Sequence, residues 1–298
     1  MGARMRMLSP LLVASAIALL SLSLPAQERL PDSYLQELAT IDRLQKLTST
    51  DLAVLTSRAQ SGAAEAQYQL ALVYGAGRIV PRDEVTSQRL MMKSAEQGYI
   101  PAETMIGCTY LDNHITGPVP NYVDAETWLR AAAKQGDPEA QLWLGLGYAR
   151  EYFGRIDYEE SLKWLRKSSA QGLPDAQFAL GQMYEEGQGV PKSNERAAYW
   201  FRRAADHFSD ISGVFSAIGE LAYMYRDERL NGNNIDAYMW LAVVDASVDP
   251  PIDQATDDDL ERVAKRMTKL EIVEAQQKTR DWTNHHLRLH ELPGLLNR

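Results

Sequence analysis

The residues most suggestive of chemistry lie in "GQMYEEGQGVP", Gly181 to Pro191, where three glycines fall within nine positions. Loops of that kind cradle phosphates through backbone N–H groups. A phosphate-gripping loop requires G-x-x-x-x-G-K-[ST] after a strand. Here five residues separate Gly181 from Gly187, no lysine follows, and the flanks have helical periodicity. A dinucleotide loop needs a βαβ unit, and no strand pattern is present. His286 and His290 stand four apart, the spacing of a helical metal pair, but His285 and Leu287 flank His286 where the zinc-protease pattern needs glutamate. Asp257 to Asp259 suits the positive end of a following helix and lacks the glycine and spacing of a calcium loop. Cys108 is the only cysteine; in the apolar "MIGCTY" it reads as a small packing residue, and alone it forms no internal disulfide. No G-x-S-x-G motif occurs. No catalytic residue, cofactor or metal ligand is therefore assigned.

The glycines recur because the chain repeats. Ala66, Ala102, Ala140, Ala176 and Ala217 are separated by 36, 38, 36 and 41 residues. Four positions after each alanine stand Leu70, Ile106, Leu144, Leu180 and Leu221. A small residue follows (Ala71, Gly107, Gly145, Gly181, Ala222), and position eight is always tyrosine: Tyr74, Tyr110, Tyr148, Tyr184 and Tyr225. A second anchor comes later, as Leu90, Trp128, Trp164, Trp200 and Trp240. Seven residues before each anchor is a helix-capping type: Asp83, Asn121, Asp157, Ser193 and Asn233. Asp157 with Glu160 has the form of a capping box. Gly98, Gly136 and Gly172 mark helix ends, and Pro101, Pro138 and Pro174 open the next helices.

Each unit thus reads as helix A, loop, helix B, turn, and neighbouring units must stack to bury their apolar faces. The expected fold is all-α: a right-handed α/α superhelical solenoid of about five helix-turn-helix repeats. "YGAGRIVP", Tyr74 to Pro81, matches the opening stretch at the equivalent place, which makes both structural turns. The array spans residues 51–245, with a half-repeat at 51–65 and repeats starting near 66, 102, 140, 176 and 217. Residues 27–50 form an N-terminal helical segment. Residues 246–298 hold a loop broken by Pro250 and Pro251, capping helices and a tail, with Thr268 and Glu271 placed to cap the last helix.

Residues 1–26 stand apart. Arg4 and Arg6 precede the apolar run Leu11 to Leu24, and Ala26 precedes a polar continuation, the order of a cleaved signal peptide. The expected location is periplasmic or secreted. Loss of two arginines takes the net charge from −9 to −11. Such a surface repels nucleic acid and anionic lipid, and favours a protein or peptide partner with a basic segment.

"AQFALGQMYEEGQGVPKSNERAAYWFRRAA", Ala176 to Ala205, resembles the Sel-one-like repeat family, relatives of the tetratricopeptide-like solenoids. The resemblance covers about Asp51 to Val244 and the closing "MTKLEIVEAQQKTRDW". It implies a non-enzymatic adaptor, and in exported bacterial members a role in the cell envelope. The chain departs from the pattern in places. "LDNHITGPVPN" and "AREYFGRID" lack the loop glycines, and the fourth repeat carries Phe208 in place of the expected glycine with five extra residues.

Solenoids bind partners on the face that packing leaves open. On helix A, positions three, six and seven after the alanine fall outside the packed arc. The candidate partner-binding residues are therefore Gln69, Met105, Trp143, Met183 and Glu220, with Trp143, Met105 and Met183 as an apolar strip. The alternative function is a peptidoglycan- or polysaccharide-associated factor with hydrolytic activity, for which an aromatic groove and a clustered acid pair would speak.

Overall fold

The computed structural model describes residues 40, 43–44, 46–111, 121–206, 211–227, 229–230, 234–246 and 254–286, and only the backbone of 211–216, 245–246, 254–257 and 285–286. The leader 1–26, most of 27–50, His114, His207, Phe208, Asn233, the Pro250–Pro251 loop and His290 lie outside the described residues, as do the side chains of Asp257 and His286. Among the described residues the named elements are thirteen α-helices. They are α1 (Ser49–Gln60), α2 (Ala64–Ala76), α3 (Glu84–Ala95), α4 (Ile100–Leu111), α5 (Tyr122–Lys134), α6 (Pro138–Ala149) and α7 (Tyr158–Ala170) in a first unit. A second unit holds α8 (Pro174–Glu186), α9 (Asn194–Asp206), α10 (Ile211–Arg226), α11 (Asn234–Ala246), α12 (Gln254–Ala264) and α13 (Lys269–His286). Helices α2, α4, α6, α8 and α10 are the A helices. In the first unit each helix packs on its chain neighbour and α4 also touches α6; in the second, α9 lies against both α8 and α10, and α11 carries α12 and α13.

Local chemistry fixes where the helices begin. Asp83, Asn121, Asp157 and Ser193 each accept a hydrogen bond from the backbone N–H three residues on, satisfying a free donor of the first turn. The reciprocal half of the Asp157 box does not form, because Glu160 turns instead to Lys163 and to the indole N–H of Trp164. Complete boxes close α1 through Thr48 and Asp51, and α13 through Thr268 and Glu271. The same cap residues also tie down the loop behind them. The backbone N–H groups of Asp83, Asp157 and Ser193 donate to the carbonyls of Tyr74, Tyr148 and Tyr184 at 3.1, 3.0 and 2.9 Å. Each of these A–B loops is closed on the repeat tyrosine.

Packing follows the repeat pattern with one correction. The five repeat alanines are each 0 % exposed, and the leucine or isoleucine four residues on is buried in every unit. The anchors divide: Trp164 and Trp240 are buried, whereas Leu90, Trp128 and Trp200 are half-buried. The core position is the next residue, Met91, Leu129, Leu165, Phe201 or Leu241, all buried. A Cβ added at Gly107, Gly145 or Gly181 would stand 2.5, 2.5 and 2.4 Å from atoms of Leu129, Leu165 and Phe201. The small residue of helix A therefore admits this side chain of helix B, and the indole is left on the flank about 100° away.

A buried polar ladder accompanies the apolar core. In the first three repeats the residue after the alanine, Gln67, Glu103 or Gln141, is buried and accepts from Gln97, Gln135 or Gln171 at 2.7, 2.7 and 2.9 Å. Gln67 and Gln141 also donate back to the carbonyls of Ala59 and Ala133. Glutamine supplies both a donor and an acceptor, so one side chain bridges two turns without leaving a buried group unpaired.

Two substitutions follow from this geometry. Glu103 occupies a rung held elsewhere by glutamine, and burial, opposed by the Gln135 bond, raises its carboxyl above the usual range. The stability it contributes is whole below the ordinary carboxylate pKa and lost as pH rises through the folded value. Glu103→Gln is expected to raise the melting temperature at pH 7 by about 2 °C. It should also flatten the dependence between about pH 4 and 7, read by circular dichroism; parallel pH profiles would refute the assignment. Glu151 has φ 62, at the position where Gly77 and Gly187 have φ 66 and 78. The turn requires a left-handed residue whatever the sequence offers, and glutamate is strained there. Glu151→Gly should stabilise the fold by about 0.5–1 kcal/mol in urea unfolding.

Candidate protein-binding face

At about 100° per residue, positions three and six after the repeat alanine point away from the packed side of an A helix. In the first unit this places Met105 and Cys108 on α4, and Trp143 and Leu146 on α6, all half-buried, with Leu72 equivalent on α2. Met105 packs at the edge of the cluster around Tyr68 and Ile106, and Trp143 at the edge of the cluster around Leu144 and Tyr148. The neighbouring α4 and α6 thus carry a row of large apolar side chains, partly supported by the core and partly open. Nothing in the repeat demands an indole at position three, where the other units have Gln69, Met105, Ala179 and Glu220.

Two of the candidate residues are not on an open face. Gln69 is 9 % exposed, with its amide donating to Glu65 at 3.0 Å, and Met183 is 2 % exposed. For Met183 the reason is angular. Position seven lies only about 20° from the alanine itself, so it belongs to the packed arc. Val73 and Met224, its equivalents, are core residues as well.

Glu220 is half-buried on α10 in the second unit. Burial raises its carboxyl pKa, the charge of Glu185 adds to the rise, and Arg229 opposes it. Arg229 itself bridges Glu185. The two carboxylates feel each other, but one is already neutralised by an internal guanidinium. Tyr223, at position six, is 46 % exposed, with Arg226 4.6 Å over its ring. Arg226 also bridges Asp227 and Asp259 at 2.7 and 2.8 Å. The open side of this A helix is thus acidic and aromatic, whereas that of α4 and α6 is apolar.

A dense polar cluster lies elsewhere, around Tyr148. Its hydroxyl donates to Glu126 and accepts from Arg130, while Arg155 reaches both Glu126 at 3.0 Å and the hydroxyl at 3.3 Å. Both guanidinium groups stand over the phenol ring. Tyr148 is 0 % exposed. Burial, and then the Glu126 carboxylate that accepts its proton, push the phenol up to about 12. Such a tyrosine is a fixed donor rather than an acid, base or nucleophile near neutral pH. Arg202 meets Tyr225 in the same way in the second unit. The cluster is a structural device for satisfying the repeat tyrosine, and its sequence signal is the arginine two residues after the anchor, Arg130 and Arg202. Among the described residues no group of three or more His, Cys, Asp or Glu side chains could hold a metal ion.

Paired helices, a buried alanine in every repeat and a close-approach glycine in three of them place the chain among the α-solenoid repeat proteins. The family model for the Sel1 repeat matches residues 64–99, 101–137, 138–173 and 174–207, and this region of the chain belongs to the Sel1 repeat family. Sel1-type repeats act as non-catalytic scaffolds for protein–protein contact. The half-repeat helix α1 and the α10–α11 pair lie outside those four matches. A Sel1 repeat protein from Oxalobacter formigenes has a similar structure, with a TM-score of 0.58, 22 % identity, and coverage of 84 % of this chain and 94 % of that one. A protective antigen of uropathogenic Escherichia coli with an SLR fold aligns with a TM-score of 0.48 and 20 % identity, over 85 % of this chain and 64 % of that one. An uncharacterized protein of Neisseria meningitidis serogroup B is 28 % identical over 170 residues, 57 % of this chain. The chain's match spans about a third (35 %) of that curated relative's length.

The Tyr148 cluster supplies a prediction. Its folded pKa lies above the unfolded value of about 10, so its contribution to stability is whole below that pH and lost as pH rises towards 12. Tyr148→Phe should remove this part of the alkaline loss, measured by urea unfolding at stepped pH. An unchanged alkaline slope would mean that the hydroxyl is not held as described.

Proposed function

We propose that the chain is a protein-interaction scaffold of the bacterial cell envelope, and that its partner docks on the open side of the A helices. The observation that carries the reading is the row of Met105, Cys108, Trp143 and Leu146 on adjacent helices α4 and α6. Half-buried aromatics and methionines combine a rigid anchor with adaptable contact area. The overall charge of −9 adds a preference for a partner with a basic segment, and in the second unit Glu220 is the candidate residue on the corresponding face. The leader-like residues 1–26 support export to the periplasm or beyond. Among the described residues no helix is long and apolar enough to cross a membrane.

Trp143 and Met105 are the residues to remove, since neither is fully buried and neither is fixed by the repeat. A Met105→Ala, Trp143→Ala variant with an unchanged circular dichroism spectrum should lose at least about tenfold in partner capture from envelope extracts, the loss of one aromatic hot spot. Full retention of every captured protein by the folded variant would refute the reading.

A further inference from the structure

A second, chemically different surface lies on helix α9 in the second unit. Arg196, Tyr199, Trp200 and Arg203 stand at i, i+3, i+4 and i+7, which is one face of a helix. Tyr199 is 51 % exposed, Arg196 is exposed, and Trp200 and Arg203 are half-buried. Core packing does not ask for Tyr199: the residue before the anchor is Arg89, Thr127 or Lys163 in the three preceding repeats.

The arginines are held by rings rather than by acids. Arg196 stands 5.5 Å over Tyr184, and Arg203 stands 5.6 Å over Trp200 with the Tyr199 hydroxyl 3.5 Å away. Among the described residues neither has a carboxylate within ion-pair distance. Arg226, Arg229 and Arg262 of the same unit each bridge an aspartate or glutamate. A stacked guanidinium is fixed in direction and keeps its in-plane N–H donors for an incoming anion. The two arginines are seven residues apart, about 10 Å along the helix. That is close to the separation of side chains three residues apart on one face of a polyproline II segment, with three residues per turn and about 3.1 Å per residue.

We propose that this stripe docks a short acidic segment of a protein, with two carboxylates about 10 Å apart on Arg196 and Arg203 and a side chain between them against Tyr199 and Trp200. The net charge of −9 opposes an anionic ligand in proportion to its charge and extent, which favours a short segment held by two local arginines over an extended polyanion or an anionic membrane. Helix α9 is a B helix of the second unit, and neither assignment depends on the other.

The test uses the full chain and a fluorescein-labelled peptide with two glutamates three positions apart and a tyrosine between them, read by fluorescence anisotropy. Binding is expected, with at least a tenfold weakening in Arg196→Ala, Arg203→Ala and in a peptide whose glutamates are replaced by glutamine. Should the double variant unfold, the exposed single change Arg196→Glu gives the same reading. Equal binding of the glutamine peptide, unchanged affinity in the folded variants, or no binding by the parent chain would overturn the proposal. Preferential binding to phosphatidylglycerol vesicles over the peptide would overturn it in favour of a lipid surface.

Discussion

The fold depends on how closely helix A approaches helix B. In three consecutive units a glycine on A lets one large side chain of B enter, and a single added carbon would stand 2.4–2.5 Å from that side chain. Such contacts leave no freedom in helix spacing, because packed interiors tolerate little change in volume. The alanine column, at 0 % exposure throughout, is the companion of this approach. Once spacing is set, the remaining features become local consequences. The repeat tyrosine carbonyl reaches the next cap residue, and the glutamine ladder ties the turn after each B helix to the start of the A helix before it.

The same constraint decides what is available for binding. Positions zero, four, five and eight of each A helix are committed to packing, and position seven is drawn in with them. Of positions three and six, those on α4 and α6 stay partly open, whereas Gln69 and Ala179 at position three are buried, so the open apolar row consists of Met105, Cys108, Trp143 and Leu146 and excludes Met183. The glycine-rich loops, by contrast, are consumed by geometry. Gly187 ends α8 in a left-handed conformation and donates to the Met183 carbonyl at 2.9 Å. Glu151 adopts the same left-handed conformation at the equivalent place without being a glycine, so the turn is imposed by the stack.

Much of this architecture is legible in the amino-acid sequence. The alanine, leucine and tyrosine columns, the capping residues, and the box at Thr268 and Glu271 follow from types at fixed spacing, because each acts within one turn or one repeat. The rest depends on direction rather than spacing. Assigning the core to Trp128 and Trp200 overlooks the less conspicuous Leu129 and Phe201, since hydrophobic size alone does not say which side chain faces a glycine. Gln67, Glu103 and Gln141 recur one residue after the alanine, yet a polar column on a helix reads as solvated until its partners 30 or 32 residues away are seen. Met183 is misplaced when position seven is treated as open, because only about 20° separates it from the alanine. The arginine clamps on Tyr148 and Tyr225 depend on contacts between helices and leave only a faint sequence trace.

If stacking commits one side of every A helix to the core and its loops to turning the chain, recognition must fall on what is left. Peptide-resolved hydrogen exchange on the full chain, with and without a captured partner, tests that claim directly. New protection is expected in α4 and α6, over residues 100–111 and 138–149. Protection confined to the loops at 77–83 and 187–193, with α4 and α6 unchanged, would contradict it.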